Sequence, residues 1–251
     1  MVLEAILFDA GNTLLELDYP FISERLKRVG ISRTSEEVRE AEIRARVRMD
    51  PFLAEQQATE ASRVFRRYME MVTEGLGLPW NGAVEEVFGD LCRANSERGL
   101  WRRAAPGAAD TLATLRGKGI ILGVVSNSDG RIADHLEAAG LVGFLQVIVD
   151  SGMVGVEKPD PRIFRMALRE AGVEASRAVY VGDYYSVDVL GARRAGLEAL
   201  LLDPLGVWPD LDCPKVKDLG AVVEFALADG APHDGEFSRR GRPRRTEGTG
   251  R

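Results

Sequence analysis

The chain has 251 residues, enough for one large domain or two modest ones, and its 45% apolar content can fill a substantial core. A formal charge of −6 excludes a general electrostatic pull toward nucleic acid or an anionic membrane surface. Residues 233–251 run against that balance: six Arg against Asp234, Glu236 and Glu247 give +3, which leaves −9 for the rest. Cys92 and Cys213 stand in unrelated contexts without CxxC spacing, as expected of reduced thiols in a cytoplasmic protein.

In chain order, residues 2–8 read as a buried strand, short, apolar and ended at Asp9 by a Gly-containing turn. The apolar run is too short for a signal peptide or a membrane span, so no leader or anchor is expected. From Pro20 to Glu97 apolar residues recur at helical spacing among Arg and Glu, as in Val64, Phe65, Tyr68, Met71 and Val72. Breaks at Gly30, Asp50-Pro51, Gly75 to Pro79 and Gly99 predict about four helices and no strand.

Beyond Pro106 the rhythm alternates: helix 107–117, strand 120–125, helix 129–139, strand 145–149, helix 161–171, strand 178–181, helix 187–195, strand 198–202. That alternation predicts right-handed crossovers and a parallel sheet, closed by a last helix at 216–228. The expected architecture is therefore α/β: a doubly wound, Rossmann-like core from residues 1–17 and 100–230, with an all-helical cap, 18–99, inserted after the first strand. Such an insertion would lie over Asp9. The composition of 231–251, rich in Gly, Pro and Arg, predicts a disordered tail.

Four short segments place polar groups just after apolar runs, where an open parallel sheet keeps its active site. Asp9 ends the first strand, and the small loop Ala10-Gly11-Asn12-Thr13 lets backbone N–H groups approach a phosphate. Ser126 and Asn127 follow the strand at 120–125 and offer a hydroxyl and amides near a helix start, where anions are favoured. Either could instead serve only as a helix cap. Lys158 is one of only five lysines in an Arg-dominated chain, flanked by Pro159 and Pro161. Asp183 and Asp188, five apart around a strand-to-helix turn, can converge on one cation. Hard oxygen ligands without His or Cys suit Mg²⁺.

Taken together, these segments resemble the four motifs of the haloacid dehalogenase superfamily, and the similarity runs over about residues 2 to 228. Most members are Mg²⁺-dependent phosphatases with an aspartyl-phosphate intermediate, and many carry a helical cap between the first and second motifs. The resemblance implies Asp9 as nucleophile, Ser126 as phosphate donor and Lys158 as charge clamp. It implies Asp9, Asp183 and the Gly11 carbonyl as Mg²⁺ ligands, with Asp188 as the supporting carboxylate of the metal site. Ala10, Gly11, Asn12, Ser126, Asn127 and Lys158 would hold a small phosphorylated metabolite.

One position departs from the pattern. Family phosphatases usually carry a second Asp two residues after the nucleophile, as general acid and base, and this chain has Gly11 there. Glu16, Asp18, a cap residue or the substrate itself could substitute. Two other chemistries of the superfamily also lack that second Asp. Its dehalogenases work without metal, against which Asp183 argues. Its phosphonatases need a cap lysine, for which Lys27 is the one available. A catalytically weak protein that binds phospho-ligands and regulates a partner is the non-enzyme alternative. Trp80, Trp101 and Trp208 read as packing residues, and nothing in the sequence fixes the oligomeric state.

Overall fold

The computed structural model describes residues 3–55 and 61–228. Strand β1 (Ala5–Phe8) is wholly buried, and the chain then turns into the short strand β2 (Leu15–Leu17). Four helices follow: α1 (Tyr19–Arg28), α2 (Ser35–Glu55), α3 (Ala61–Gly75) and α4 (Gly82–Arg98). Strand β3 (Trp101–Ala104) returns antiparallel to β2, so the two connections between the helical part and the sheet form a ribbon. The rest is α5 (Ala108–Gly117), β4 (Ile121–Ser126), α6 (Ile132–Ala138), β5 (Val147–Asp150), α7 (Ser151–Val154) and α8 (Pro161–Ala171). It ends with β6 (Ala178–Gly182), α9 (Leu190–Ala195), β7 (Glu198–Leu202), β8 (Lys215–Val216) and α10 (Leu219–Ala228).

Six strands form one parallel sheet in the order β5-β4-β1-β6-β7-β8. Alternate residues of a strand face opposite sides, and the core divides accordingly. Ile6, Phe8, Val124, Val179 and Val181 pack with Leu112 and Leu115 of α5, Leu136 of α6 and Val222 of α10. Ala5, Leu7, Val125, Tyr180 and Leu201 pack on the other face with Phe164 and Ala167 of α8 and Ala192 of α9. The helices α1–α4 share a separate apolar cluster that includes Ile22, Leu26, Val38, Met49, Val72 and Leu91. The chain order reverses about β1, between β4 and β6, which is where an open α/β sheet opens a crevice at its strand ends.

Several expected boundaries move. Helix α2 does not break at Asp50-Pro51 but runs on to Glu55. An internal Pro removes a helical hydrogen bond at a cost of about 3 kcal/mol. Burial of Val38, Ala41, Ala45 and Met49 along the same face offsets it. The expected helix at 187–195 starts instead as a π-helical turn over Tyr185–Val189. The pairs β2–β3 and β7–β8 were not predicted, because strands of two to four residues are too short to show a period. The segment 231–251, with its Arg cluster, lies outside the described residues. Among the described residues no helix is long and apolar enough to cross a membrane.

Candidate active site

Asp9 leaves the carboxyl end of β1, its amide still held by the Val181 carbonyl of β6 at 2.8 Å. The chain then turns tightly: the Leu14 and Leu15 amides both donate to the Ala10 carbonyl, and Asn12 takes a left-handed conformation with φ 58°. Asn is among the residues that tolerate that region. This turn keeps residues 10–13 close to Asp9. It also leaves the Thr13 hydroxyl buried without a hydrogen-bond partner.

Lys158, from the loop before α8, is 5% exposed. Its Nζ donates to Asp9 Oδ1 at 2.5 Å, to Asp188 Oδ1 at 2.8 Å and to the Tyr180 hydroxyl at 3.0 Å. The Asn127 side chain fixes the Lys158 backbone at both ends: its Nδ2 donates to the carbonyl at 2.9 Å and its Oδ1 accepts from the amide at 2.7 Å. The Asn127 amide therefore positions the lysine. Ser126 ends β4 next to it and is buried.

Asp183 and Asp188 follow β6. Asp188 Oδ2 accepts from the amides of Asp183 at 3.1 Å and Tyr184 at 2.9 Å, while its Oδ1 faces Lys158 and the Tyr180 hydroxyl. With both oxygens engaged, Asp188 braces Lys158 and the turn that carries Asp183. Gly182 is required here: a Cβ on it would stand 2.6 Å from Asp188 Oδ2. One carboxylate oxygen from each of Asp9, Asp183 and Asp188 can be chosen so that all lie within 4.8 Å of one another. Asp9, Lys158, Asp183 and Asp188 thus meet in one buried cluster.

The charges do not balance. Three buried carboxylates face the Lys158 ammonium, and the Arg46 guanidinium, 3.6 Å from Asp183, is already paired with Glu42. Burial pushes Asp9 up to about 6, against the lowering effect of Lys158, and holds Asp183 well above the usual carboxylate range. Burial alone would lower Lys158, but Asp188 and Asp9 outweigh it and keep the ammonium charged. Such a set of oxygen donors, short of positive charge, fits a hard divalent cation. Asp9, Asp183 and Asp188 are the carboxylates that lie close enough together to hold it.

The helical part contributes residues that helical spacing alone does not tell apart from a solvated face. Arg46 of α2 is 4% exposed, unlike its neighbours Arg44 and Arg48. It grips Glu42 through Nε at 2.6 Å and Nη2 at 2.5 Å, and its Nε stands 3.6 Å from Asp183 Oδ2. Glu42 also accepts from the Tyr19 and Tyr68 hydroxyls, at 2.9 and 2.5 Å. An i,i+4 Glu–Arg pair reads the same in sequence whether it is buried or exposed, so spacing gave no signal. Asp50, on the same helix, accepts from the Ser186 amide and hydroxyl, both at 2.8 Å, and ties α2 to the turn after Asp183. Lys27 is exposed on α1.

A family model described as haloacid dehalogenase-like hydrolase matches residues 3–196. The chain belongs to the haloacid dehalogenase-like hydrolase family. A glyceraldehyde 3-phosphate phosphatase of Methanopyrus kandleri is 31% identical over 211 residues, covering 78% of this chain and 82% of that protein. The haloacid dehalogenase-like hydrolase domain-containing protein 3 of Bos taurus is 38% identical over 136 residues, 54% of this chain and 52% of its own length. The chain thus spans about half the length of that relative. A HAD phosphatase from Thermococcus onnurineus superposes with a TM-score of 0.57 at 24% identity, over 89% of this chain and 97% of that one. That likeness carries the haloacid dehalogenase fold.

Proposed function

We propose that the chain is a Mg²⁺-dependent phosphatase of a small phosphomonoester, working through an aspartyl-phosphate on Asp9. The observation that carries this reading is the contact of Lys158 Nζ with Asp9 at 2.5 Å, inside a cluster that also holds Asp183. The ammonium fixes the Asp9 carboxylate and leaves its second oxygen for in-line attack. Two relatives are named for phosphate monoesters, the Methanopyrus glyceraldehyde 3-phosphate phosphatase and a phosphoserine phosphatase of Thermus thermophilus, 39% identical over 127 residues.

In the proposed mechanism, the backbone amides of residues 10 and 11 and the Ser126 hydroxyl receive the phosphoryl oxygens while Asp9 attacks phosphorus; the Asn12 amide is held by the Leu15 carbonyl at 2.6 Å. Lys158 shares the charge that spreads over those oxygens. Mg²⁺ at Asp9, Asp183 and the Gly11 carbonyl would supply further charge neutralisation on the same oxygens. Helices α1–α4 exclude bulk water above Asp9 and choose the substrate by their inner face. Lys27, the lysine that the phosphonatase alternative requires, is exposed on α1.

Hydrolysis of p-nitrophenyl phosphate with and without Mg²⁺ tests the proposal. Turnover that needs Mg²⁺ and disappears in Asp9→Asn supports it. Full activity in Asp9→Asn, or haloacid hydrolysis without metal, refutes it. Phosphate binding without turnover would instead favour the regulatory reading.

A further inference from the structure

The cluster holds a candidate nucleophile and a fixed cation, but among the described residues no uncommitted acid stands beside them. A Cβ on Gly11 would point at the Trp101 indole, 3.4 Å from Cδ1 and 3.7 Å from Nε1. Trp101 is locked there, its Nε1 donating to Asn12 Oδ1 at 2.7 Å and its ring packed edge-on against Phe65. An indole therefore stands beside residue 11 in place of an acid, and it offers no transferable proton.

Among the described residues, the neighbouring acids are all committed elsewhere. Asp18 caps α1 through the Phe21 amide and faces Arg98 at 3.3 Å. Glu16 faces Arg103 across the β2–β3 ribbon at 3.6 Å, with Arg39 and Glu36 as its other charged neighbours. Glu42 is saturated by Arg46, Tyr19 and Tyr68, and Asp50 by Ser186. Lys158 is shared among Asp9, Asp188 and Tyr180. Tyr184 follows Asp183 directly, and its amide is held by Asp188 at 2.9 Å.

We infer that this chain acts on phosphates whose leaving oxygen departs as a stable anion: aryl, enol and acyl phosphates rather than phosphates of ordinary alcohols. The inference rests on the phosphoryl-transfer reading proposed above. In the first step an Asp9 oxygen forms a bond to phosphorus as the bond to the leaving oxygen breaks. The leaving group keeps the electron pair and takes its proton, if any, from solvent afterwards. In the second step water attacks phosphorus, the bond to Asp9 breaks with its electrons returning to the carboxylate, and the proton of the water passes to solvent. A carboxylate needs no acid to leave, but among the described residues the attacking water has no uncommitted base. The aspartyl-phosphate therefore accumulates.

A positioned acid is worth roughly a hundred- to ten-thousand-fold in rate. That loss falls on alkyl phosphates and spares leaving groups that need no proton. This would set the chain apart from relatives named for alkyl phosphates, phosphoserine and glyceraldehyde 3-phosphate.

The test is kcat/KM for acetyl phosphate, a series of substituted phenyl phosphates and O-phosphoserine, all with Mg²⁺, for wild type, Gly11→Asp with Trp101→Ala, and Tyr184→Phe. The expected result is a steep fall with rising leaving-group pKa, with O-phosphoserine at least about a hundredfold below p-nitrophenyl phosphate. A burst of product in the first turnover should accompany the best substrates. Restoring a carboxyl at residue 11 should flatten the dependence if the double variant folds, as its thermal melt would report. A flat dependence in wild type overturns the inference, as does a dependence that steepens only in Tyr184→Phe, which would identify that phenol as the acid. No turnover of any of these phosphates would remove the phosphatase reading, and the inference with it.

Discussion

Replacing Lys158 by Met probes the electrostatics of the site without reference to any substrate. The ammonium makes three hydrogen bonds in a pocket where its side chain is 3% exposed and those of Asp9 and Asp188 are 10% and 1% exposed. Methionine matches the length of the stem but leaves two buried carboxylates facing each other. Breaking a buried pair by removing one partner costs about 3–5 kcal/mol. For a domain of this size each kcal/mol moves Tm by about 2–4 °C, so Tm should fall by roughly 6–20 °C near neutral pH. Burial already pushes Asp9 up to about 6 with the lysine in place, and without it the carboxyl should rise further. A proton on Asp9 then relieves part of the repulsion, so the deficit should shrink in acid. Calorimetry of both proteins without metal, at several pH values, measures it. A Tm within about 2 °C of wild type at neutral pH, or a deficit that grows in acid, would refute this account of the cluster.

The same charges set a pH dependence. Burial raises Asp9 from 3.8 to about 6, so between those values the folded metal-free chain binds a proton that the unfolded chain has released. Stability should therefore fall as pH rises through about 6, and saturating Mg²⁺ should abolish that fall; denaturant titrations at several pH values check both. Gly182→Ala should displace Asp188, because its Cβ would stand 2.6 Å from Oδ2. It should cost about 1–3 kcal/mol and most of any hydrolytic activity, read by urea unfolding and by turnover. Asp50→Ala removes the acceptor for the Ser186 amide and hydroxyl. Leaving that buried donor unpaired should cost about 1–3 kcal/mol and raise the protease sensitivity of α2.

The sheet was legible because a buried parallel strand announces itself as an apolar run with a polar residue at its end. Phe8-Asp9, Val125-Ser126 and Gly182-Asp183 all do so, and pairing of β1 with β4 and β6 brings those ends side by side. The helical segment was legible from its period, but Pro51 misled: the packing of α2 outweighed a local breaker. Tyr180 lies inside the predicted strand 178–181, but sequence does not show its hydroxyl reaching a lysine 22 positions upstream. The Glu42–Arg46 pair and the Asp50–Ser186 tie depend on which face of α2 meets the sheet domain, a tertiary fact that composition does not encode. Trp101 was read as packing, and it packs. The missing information was that it does so against Gly11.

The most direct measurement is mass spectrometry of the chain quenched in acid milliseconds after mixing with acetyl phosphate and Mg²⁺. The account predicts one added phosphoryl group, mapped by fragmentation to Asp9 and absent in Asp9→Asn. Turnover with no covalent adduct, or an adduct on any other side chain, would contradict it.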